Sequence, residues 1–369
     1  MTALPRDAAQ LGGEGARAAD VGAAGARVTA AAVLAGDARS CVVHSRCEAF
    51  SSSLPDGCVN LLWLDPPYFR VVDEEWDRAW KTEADFLAWL RGVVVEAARV
   101  LAPNGSLYLF ASPQMGGRVE CIARESLDVL NHLVWAKRQG WHAKAEEGAL
   151  RGYFPQTERV IFAGHAEPAE SPMSAAIRVA RERAGLTRSA LDVAIGRTSA
   201  ADPTRGTGLV YRWEEGSSIP SRSDFARVMR VCGDDQADFA SLVRAADAAR
   251  RPFAADLGAH TTDVWTYETV TPTPQKHPCE KPEAMLRDVV RCSSRLGDVV
   301  CEFFGGSFRM AEVALSEGRR YIGCDADEHW AGVGVERARA AERGTVAAVP
   351  SRRAKGARDE ALPLFGGVR

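Results

Sequence analysis

The stretch Val59-Asn60-Leu61-Leu62-Trp63-Leu64-Asp65-Pro66-Pro67-Tyr68 decides how the chain is read. Residues 59–64 form an apolar strand that runs straight into a carboxylate, a diproline and an aromatic ring. Proline cannot extend a hydrogen-bonded ladder, so the strand stops there. Working outward, a short strand is expected at Cys41-Val42-Val43-His44 and a helix over residues 48–54. Downstream, Phe86, Leu87, Leu90, Val94 and Ala97 carry helical spacing across residues 83–100. Pro103-Asn104-Gly105 reads as a turn and residues 106–111 as a buried strand. A further helix, a strand at Leu133-Val134-Trp135 and the segment Arg159-Val160-Ile161-Phe162-Ala163 close this half. Strands alternating with helices predict parallel pairing and therefore an α/β fold, a doubly wound, mostly parallel, Rossmann-like sheet.

The pattern breaks near Gly164. Residues 165–172 read as a linker, and residues 173–249 as a run of short amphipathic helices without a strand signal, an inserted all-α domain. Alternation then resumes with a helix over residues 282–293, a strand over 299–303, a helix over 309–316 and a strand over 321–325. The expected organisation is an unstructured Ala/Gly-rich segment 1–38, a first sheet half 39–165, the helical insertion 171–251, a second half 252–345 and a basic tail 346–369. Counted from Arg337, the end of the chain holds eight basic residues against three acids.

Composition excludes several classes. The chain has 369 residues, 46% hydrophobic and 26% charged, which is globular and long enough for two domains. It has no run of about 18 apolar residues and no apolar core behind basic residues at its start, so neither a membrane span nor a secretion signal is expected. No two of the nine cysteines stand in Cys-x-x-Cys spacing, and His44, His132, His142 and His329 lack ligand spacing, so no metal is expected. A net charge of −3 offers no overall attraction to a polyanion, so any nucleic-acid contact must be a local patch.

In open α/β sheets ligands bind at the carboxyl ends of strands. There Asp65 can accept one N–H of a planar amine, a carbonyl of Pro66 or Pro67 the other, and Tyr68 can stack on the ring, which turns the nitrogen lone pair towards an electrophile. A second segment, Glu302-Phe303-Phe304-Gly305-Gly306-Ser307, follows a strand and precedes a helix. Its glycines permit close backbone approach to a ligand. About 20 residues later Asp325 ends the next strand, where an acid meets a ribose diol in nucleotide-binding α/β units. Together these suggest an adenosine-containing cofactor. No phosphate-binding Gly-x-x-x-x-Gly-Lys-Ser/Thr loop is present, which disfavours a nucleoside triphosphatase.

With Pro103-Asn104-Gly105-Ser106-Leu107-Tyr108, His277-Pro278-Cys279-Glu280-Lys281-Pro282 and Gly318-Arg319-Arg320-Tyr321-Ile322-Gly323-Cys324-Asp325, these segments resemble the ordered motifs of the beta-group DNA amino-methyltransferases. The resemblance spans residues 41–163 and 277–340. It implies a permuted methyltransferase sheet, with the catalytic half first and a target-recognition region between the halves. It further implies that Asp65, Pro66, Pro67 and Tyr68 hold the flipped base. Cys47, Asp65, Lys281, Pro282, Glu302, Phe303, Phe304, Gly305, Gly306, Ser307 and Asp325 are then the surroundings of S-adenosyl-L-methionine. Two positions depart from the pattern: Phe308 stands where a third glycine is usual, beside the cofactor, and Arg46 where an acid is usual, with Glu48 close by.

The insertion resembles the Cro/repressor type of helix-turn-helix, on Ile177 to Thr187, Ser189 to Gly196 and Tyr211-Arg212-Trp213-Glu214-Glu215-Gly216, with a longer stretch, residues 197–206, before the presumptive recognition helix. That resemblance makes Arg205, Thr207, Tyr211 and Arg212 the candidate DNA readers, with Leu209 and Trp213 facing the core. Residues 173–251 hold thirteen arginines against ten acids, a local positive patch. Trp76, Trp80 and Trp89 read as core or lid aromatics. The segment Ala361-Leu362-Pro363-Leu364-Phe365 resembles a sliding-clamp peptide without its leading Gln.

The reading that results is a cytoplasmic, bacterial or phage-type methyltransferase acting on adenine N6 in double-stranded DNA after base flipping, since the cytosine-N4 members more often begin the tetrapeptide with Ser. Its rivals are cytosine-N4 transfer and a DNA-binding regulator whose methyltransferase half has decayed. Candidate partners are DNA, a second copy of the chain and a sliding clamp, with no membrane.

Overall fold

The computed structural model describes residues 28–69, 71, 78–137, 153, 155–167, 170–234, 236–254, 262–271, 277 and 279–345. The chain forms two compact units, Ala166–Arg251 and the segments on either side of it. The expected clamp-type segment, Trp76 and His142 lie outside the described residues.

The flanking segments build one sheet from β1 (Ser40–His44), β2 (Val59–Leu64), β3 (Leu101–Ala111), β4 (Asp128–Ala136), β5 (Thr157–Gly164), β6 (Val264–Trp265), β7 (Val299–Glu302) and β8 (Arg320–Asp325). Their spatial order is β1-β8-β7-β2-β3-β5-β4-β6. The first five run parallel; β5 is antiparallel to both β3 and β4, and β6 is parallel to β4. The sheet is therefore mixed, though mostly parallel. β2 and β7 are central neighbours from opposite ends of the sequence, with Leu61 opposite Val300 and Trp63 opposite Glu302.

Strand side chains alternate between faces, so β2 and β3 divide the core in two. Leu62, Leu64, Leu107 and Leu109 meet Phe86, Leu90 and Val94 of the helix Glu83–Val100. Leu61, Trp63, Tyr108 and Phe110 meet Val289, Val290, Met310 and Val313 from the helices Glu283–Ser293 and Arg309–Ser316. The helix Glu83–Val100 starts at a reciprocal cap: Thr82 Oγ1 accepts the Asp85 N–H and the Asp85 carboxylate accepts the Thr82 N–H, each at 3.1 Å.

Three expectations need correcting. Residues 1–38 are not all unstructured: Ala30–Ala35 is a helix capped by Thr29 and by Gly36 in the left-handed region. Val33 is fully buried, and Arg320 donates to the Val33 and Leu34 carbonyls at 2.7 and 3.1 Å, so a short apolar run docks on the sheet with its helix end satisfied. The turn at Pro103-Asn104-Gly105 does not precede β3 but lies within it. Val59 pairs with Leu101 and Leu61 with Ser106, so the surplus residues bulge out of the ladder. Finally, Arg337 and Arg339 belong to the helix Glu328–Glu342, not to a tail, and Arg337 is buried against Glu280 at 3.0 Å.

The unit Ala166–Arg251 has helices at Pro172–Arg183, Arg188–Ala194, Leu209–Glu214, Arg222–Cys232 and Phe239–Ala249. Ile177, Leu191, Val210, Trp213, Phe225 and Val228 form its core. Ser171, Thr187, Ser221 and Asp238 cap four of the five helices. Asp192 begins the remaining one by accepting the N–H groups of Gly208 and Val210, at 2.7 and 3.0 Å. The unexpectedly long connection is closed by a bridge between Thr198 and Gly206.

Phe308, like Phe69, is a strained residue of the sheet unit. Its φ of 53° lies in the left-handed region, which a β-carbon disfavours. The ring has no exposed surface and fills a slot left by two glycines, since a β-carbon on Gly305 or Gly334 would come within 2.2 or 2.5 Å of it. Gly334→Ala should therefore overpack the core and destabilise the protein by about 1–3 kcal/mol. The same change in a Phe308→Ala background should cost little; equal costs by chemical denaturation in the two backgrounds would refute the coupling.

Candidate active site

In this order of strands, the chain leaves β7 for β8 on one side and β2 for β3 on the other. The cleft between β7 and β2 is thus the point where the winding reverses, and open α/β sheets place their ligands there. With Trp63 opposite Glu302, Glu302 opposite Gly323 and His44 opposite Asp325, the register brings Asp65, the glycine turn and Asp325 to one edge.

The glycine turn is held by backbone geometry. Gly306 has φ 49°, and its N–H donates to Asp325 Oδ2 at 2.7 Å, while Asp325 Oδ1 accepts from Asp327 N at 2.8 Å. Burial raises the Asp325 carboxyl above its usual range, and these two N–H groups oppose the shift. A β-carbon on Gly306 would press on the His277 ring at 3.3 Å, so a bare backbone suits this place. A carboxylate that can accept ribose hydroxyls beside a bare peptide turn is the arrangement that a ribose and its attached chain require, and the residues present fit S-adenosylmethionine.

The remaining expected cofactor residues divide. Phe304 is half-buried and meets Trp89 edge-on, with ring centroids 5.8 Å apart. Ser307 is buried and accepts from the Arg309 N–H at 3.4 Å, and Pro282 is the N-cap of the helix Glu283–Ser293. Cys47 is buried in the first turn of the helix Cys47–Ser52, its thiol pushed up by burial and then by Glu48. Phe303 faces the apolar layer, edge-on to Phe50 at 6.2 Å, so it brings only its backbone to the turn. Glu302 is buried and accepts the Tyr321 hydroxyl at 2.6 Å. The departures from the motif pattern are accommodated: the Phe308 ring is turned into the core, and Arg46 pairs with Glu48 at 3.3 Å, which also accepts Trp89 Nε1 at 2.8 Å.

At the end of β2, Asp65 is 17% exposed at its side chain. The Tyr68 hydroxyl donates to Asp65 Oδ1 at 2.7 Å and lies 3.0 Å from Glu158 Oε2. Lys281, expected beside the cofactor, directs its ammonium onto Asp65 Oδ2, with Glu158 Oε2 at 3.4 Å. Lys137 Nζ reaches Glu158 Oε1 at 2.5 Å. Two carboxylates and two lysines thus share one largely buried cluster.

Burial pushes Asp65 above the ordinary carboxylate range, Lys281 pulls it down and Glu158 pushes it up again. Glu158 feels the same burial, but Lys281 and Lys137 hold it below its usual value. Lys281 is raised despite burial, because both carboxylates face it. The Cys279 thiol alongside is pushed up to about 11, mainly by burial. Glu158, Lys137 and Lys281 were not assigned to an amine site from sequence. The available signal was the alternation in β5: Glu158 shares a face with the buried Val160 and Phe162.

In the helical unit the four expected readers are all exposed. Tyr211 and Arg212 stand on the helix Leu209–Glu214, whereas Arg205 and Thr207 precede it. Trp213 is buried and Leu209 partly so. Arg188 lies over the Tyr211 ring at 5.2 Å.

The family model described as DNA methylase, N6_N4_Mtase, matches residues 59–334. The DNA adenine methyltransferase YhdJ of Escherichia coli (strain K12) is 24% identical over 312 residues, 82% of this chain and 83% of that protein. The cytosine-N4-specific PvuII DNA methyltransferase superposes with a TM-score of 0.50 at 11% identity, covering 81% of this chain and 86% of that one. TTHA0409 of Thermus thermophilus, in complex with S-adenosyl-L-methionine, gives 0.47 at 17% identity, covering 83% and 97%.

Glu302 carries a test of the site's electrostatics. Burial raises its carboxyl well above the ordinary range, opposed by the Tyr321 hydroxyl. The folded state therefore holds a proton that the unfolded chain releases near pH 4.5, and wild-type stability falls as pH rises from there towards the folded value. Glu302→Gln mimics the protonated form and has no such loss. Its melting temperature relative to wild type should rise between about pH 5 and pH 8; a constant difference would show that Glu302 is ionised in the fold.

Proposed function

The chain belongs to the N6/N4 DNA methylase family, S-adenosylmethionine-dependent DNA methyltransferases, and on that premise we propose that it methylates adenine N6 at a specific site in double-stranded DNA. The observation that carries this reading is Asp65, held by Tyr68 and Lys281 at the reversal point of the sheet beside the glycine turn. The target base leaves the stack, Asp65 accepts one amine N–H, a carbonyl of Pro66 or Pro67 accepts the other, and Tyr68 lies against the base. With both protons held, the nitrogen lone pair points towards the cofactor side of the cleft, a positioning effect worth several kcal/mol of barrier. The bound cofactor supplies an electrophilic methyl on sulfur. Gly305, Gly306, Ser307 and Asp325 would hold it, with Cys47 and Phe304 on its flanks.

Adenine is favoured over cytosine by the Asp that opens the tetrapeptide and by the similarity to an adenine methyltransferase along most of both chains. Asp65→Ala should reduce methylation below about a hundredth of wild type while retaining cofactor binding. Glu158, 3.4 Å from Lys281, remains as a counter-charge, so the variant should lose stability without losing the fold, which its melting curve checks. Long-read sequencing of DNA from cells expressing the wild type identifies the modified base, and methylcytosine in place of N6-methyladenine would overturn the adenine assignment.

The helical unit is proposed as a helix-turn-helix that reads the site. Support comes from its order of capped helices, the exposure of Arg205, Thr207, Tyr211 and Arg212, and a surplus of arginine. An arginine held bidentately on guanine contributes about 1–3 kcal/mol of discrimination, whereas one on phosphate weakens all sequences alike. Arg205→Ala and Arg212→Ala should each add modified sites that differ from the motif at one position. An unchanged motif after replacing residues 173–251 by a short linker would assign recognition elsewhere.

A further inference from the structure

Glu158 is a buried carboxylate that neither the amine-holding role nor the cofactor turn requires. Its Oε2 lies 3.0 Å from the Tyr68 hydroxyl, whose other carboxylate neighbour is Asp65 Oδ1 at 2.7 Å. One hydroxyl proton thus faces two carboxylates and serves one of them at a time. Lys137 Nζ at 2.5 Å and Lys281 Nζ at 3.4 Å keep Glu158 ionised despite its burial, so it persists as an acceptor.

Resting on the reading of Asp65 as the amine's partner, we propose that Asp65, Tyr68 and Glu158 form a hydrogen-bond relay whose direction reverses during each turnover, with Glu158 as its terminal acceptor. The amine lone pair forms the new N–C bond, the C–S pair departs with sulfur, and the nitrogen is left positive. It becomes neutral when one N–H proton passes to an Asp65 oxygen and the bonding pair returns to nitrogen. Asp65, now a neutral carboxylic acid, is a weaker acceptor for the Tyr68 hydroxyl than the ionised Glu158. The Tyr68 O–H therefore turns from Asp65 Oδ1 to Glu158 Oε2, a rotation that leaves the ring in place and frees Tyr68 Oη to accept the acid's O–H. Were Glu158 absent, the phenol would have no ionised acceptor to turn to. Loss of the Asp65 proton to solvent after product leaves restores the starting direction. Glu158 acts through Tyr68 and is therefore a positioning residue.

A double-mutant cycle on the full-length protein tests this, with multiple-turnover methylation of a duplex carrying the sequenced site and cofactor affinity measured by calorimetry. Tyr68→Phe and Glu158→Gln should each slow transfer at saturating DNA by about tenfold or more, with cofactor Kd unchanged. The double variant should be no slower than the slower single, because both changes cut one relay. A wild-type rate in folded Glu158→Gln, or a double variant slowed by the product of the two effects, would overturn the relay. Should Glu158→Gln fail to fold, Tyr68→Phe alone decides, since it alters no charge: a wild-type rate there sinks the proposal. Wild-type protein that transfers no methyl group to DNA would instead overturn the enzymatic reading.

Discussion

Two lysines and two carboxylates share one largely buried cluster where β2 ends and β5 begins, and the architecture around them follows from keeping all four paired. Removing one member of a buried ion pair typically costs about 3–5 kcal/mol, because the survivor is left desolvated without a counter-charge. The sheet meets this demand through strand direction. β2 and β4 deliver Asp65 and, one residue past the strand, Lys137 at their carboxyl ends, while β5, running the other way, delivers Glu158 near its start. The antiparallel strand is thus the means by which a third segment reaches the same edge. Lys281 comes from 216 residues further along than Asp65 and completes the cluster.

The same cluster explains how a carboxylate in so closed a place keeps its chemistry. Asp65 is pushed towards protonation by burial and by Glu158, and held back by Lys281. A group balanced in this way can accept an N–H from a neutral amine and later take a proton from a charged one. Glu158, with a lysine at each of its oxygens, is held firmly ionised. Neighbouring carboxylates with opposite tendencies are how one pocket supports both states.

Much of this was legible in the sequence, because it was written in local signals. The apolar run 59–64 ending on Asp65-Pro66-Pro67, the strand, glycine turn and helix around Gly305 and Gly306, and the helical spacing of 83–100 each depend on neighbours a few residues away. What escaped was set by tertiary partners. Ala30–Ala35 forms a helix because the sheet and Arg320 satisfy it, and Phe308 fits because Gly334, on a distant helix, leaves it a slot. Glu158 lies in an apolar strand run whose alternation marked it as inward-facing, yet its lysines sit on other elements. The family resemblance supplied the cofactor and the order of the motifs; composition and spacing alone stopped at an adenosine-like ligand.

The pairing of β2 with β7 has a consequence for synthesis. A ribosome making this chain releases Asp65 and Glu158 well before Lys281 exists, and before the two strands that fill the gap between β1 and β2 have been translated. The nascent first half therefore has a sheet with an unfilled slot at its centre and two carboxylates awaiting their shared cation. The helical insertion, compact in itself, emerges and folds during that wait. Closing a long loop costs only logarithmically more than closing a short one, so the delay is tolerated thermodynamically, but it exposes unpaired strand edges for as long as translation lasts. A chain truncated before Lys281 would lack both the central partner strand and the shared counter-charge, and quality control would meet it as an open edge, not as a domain.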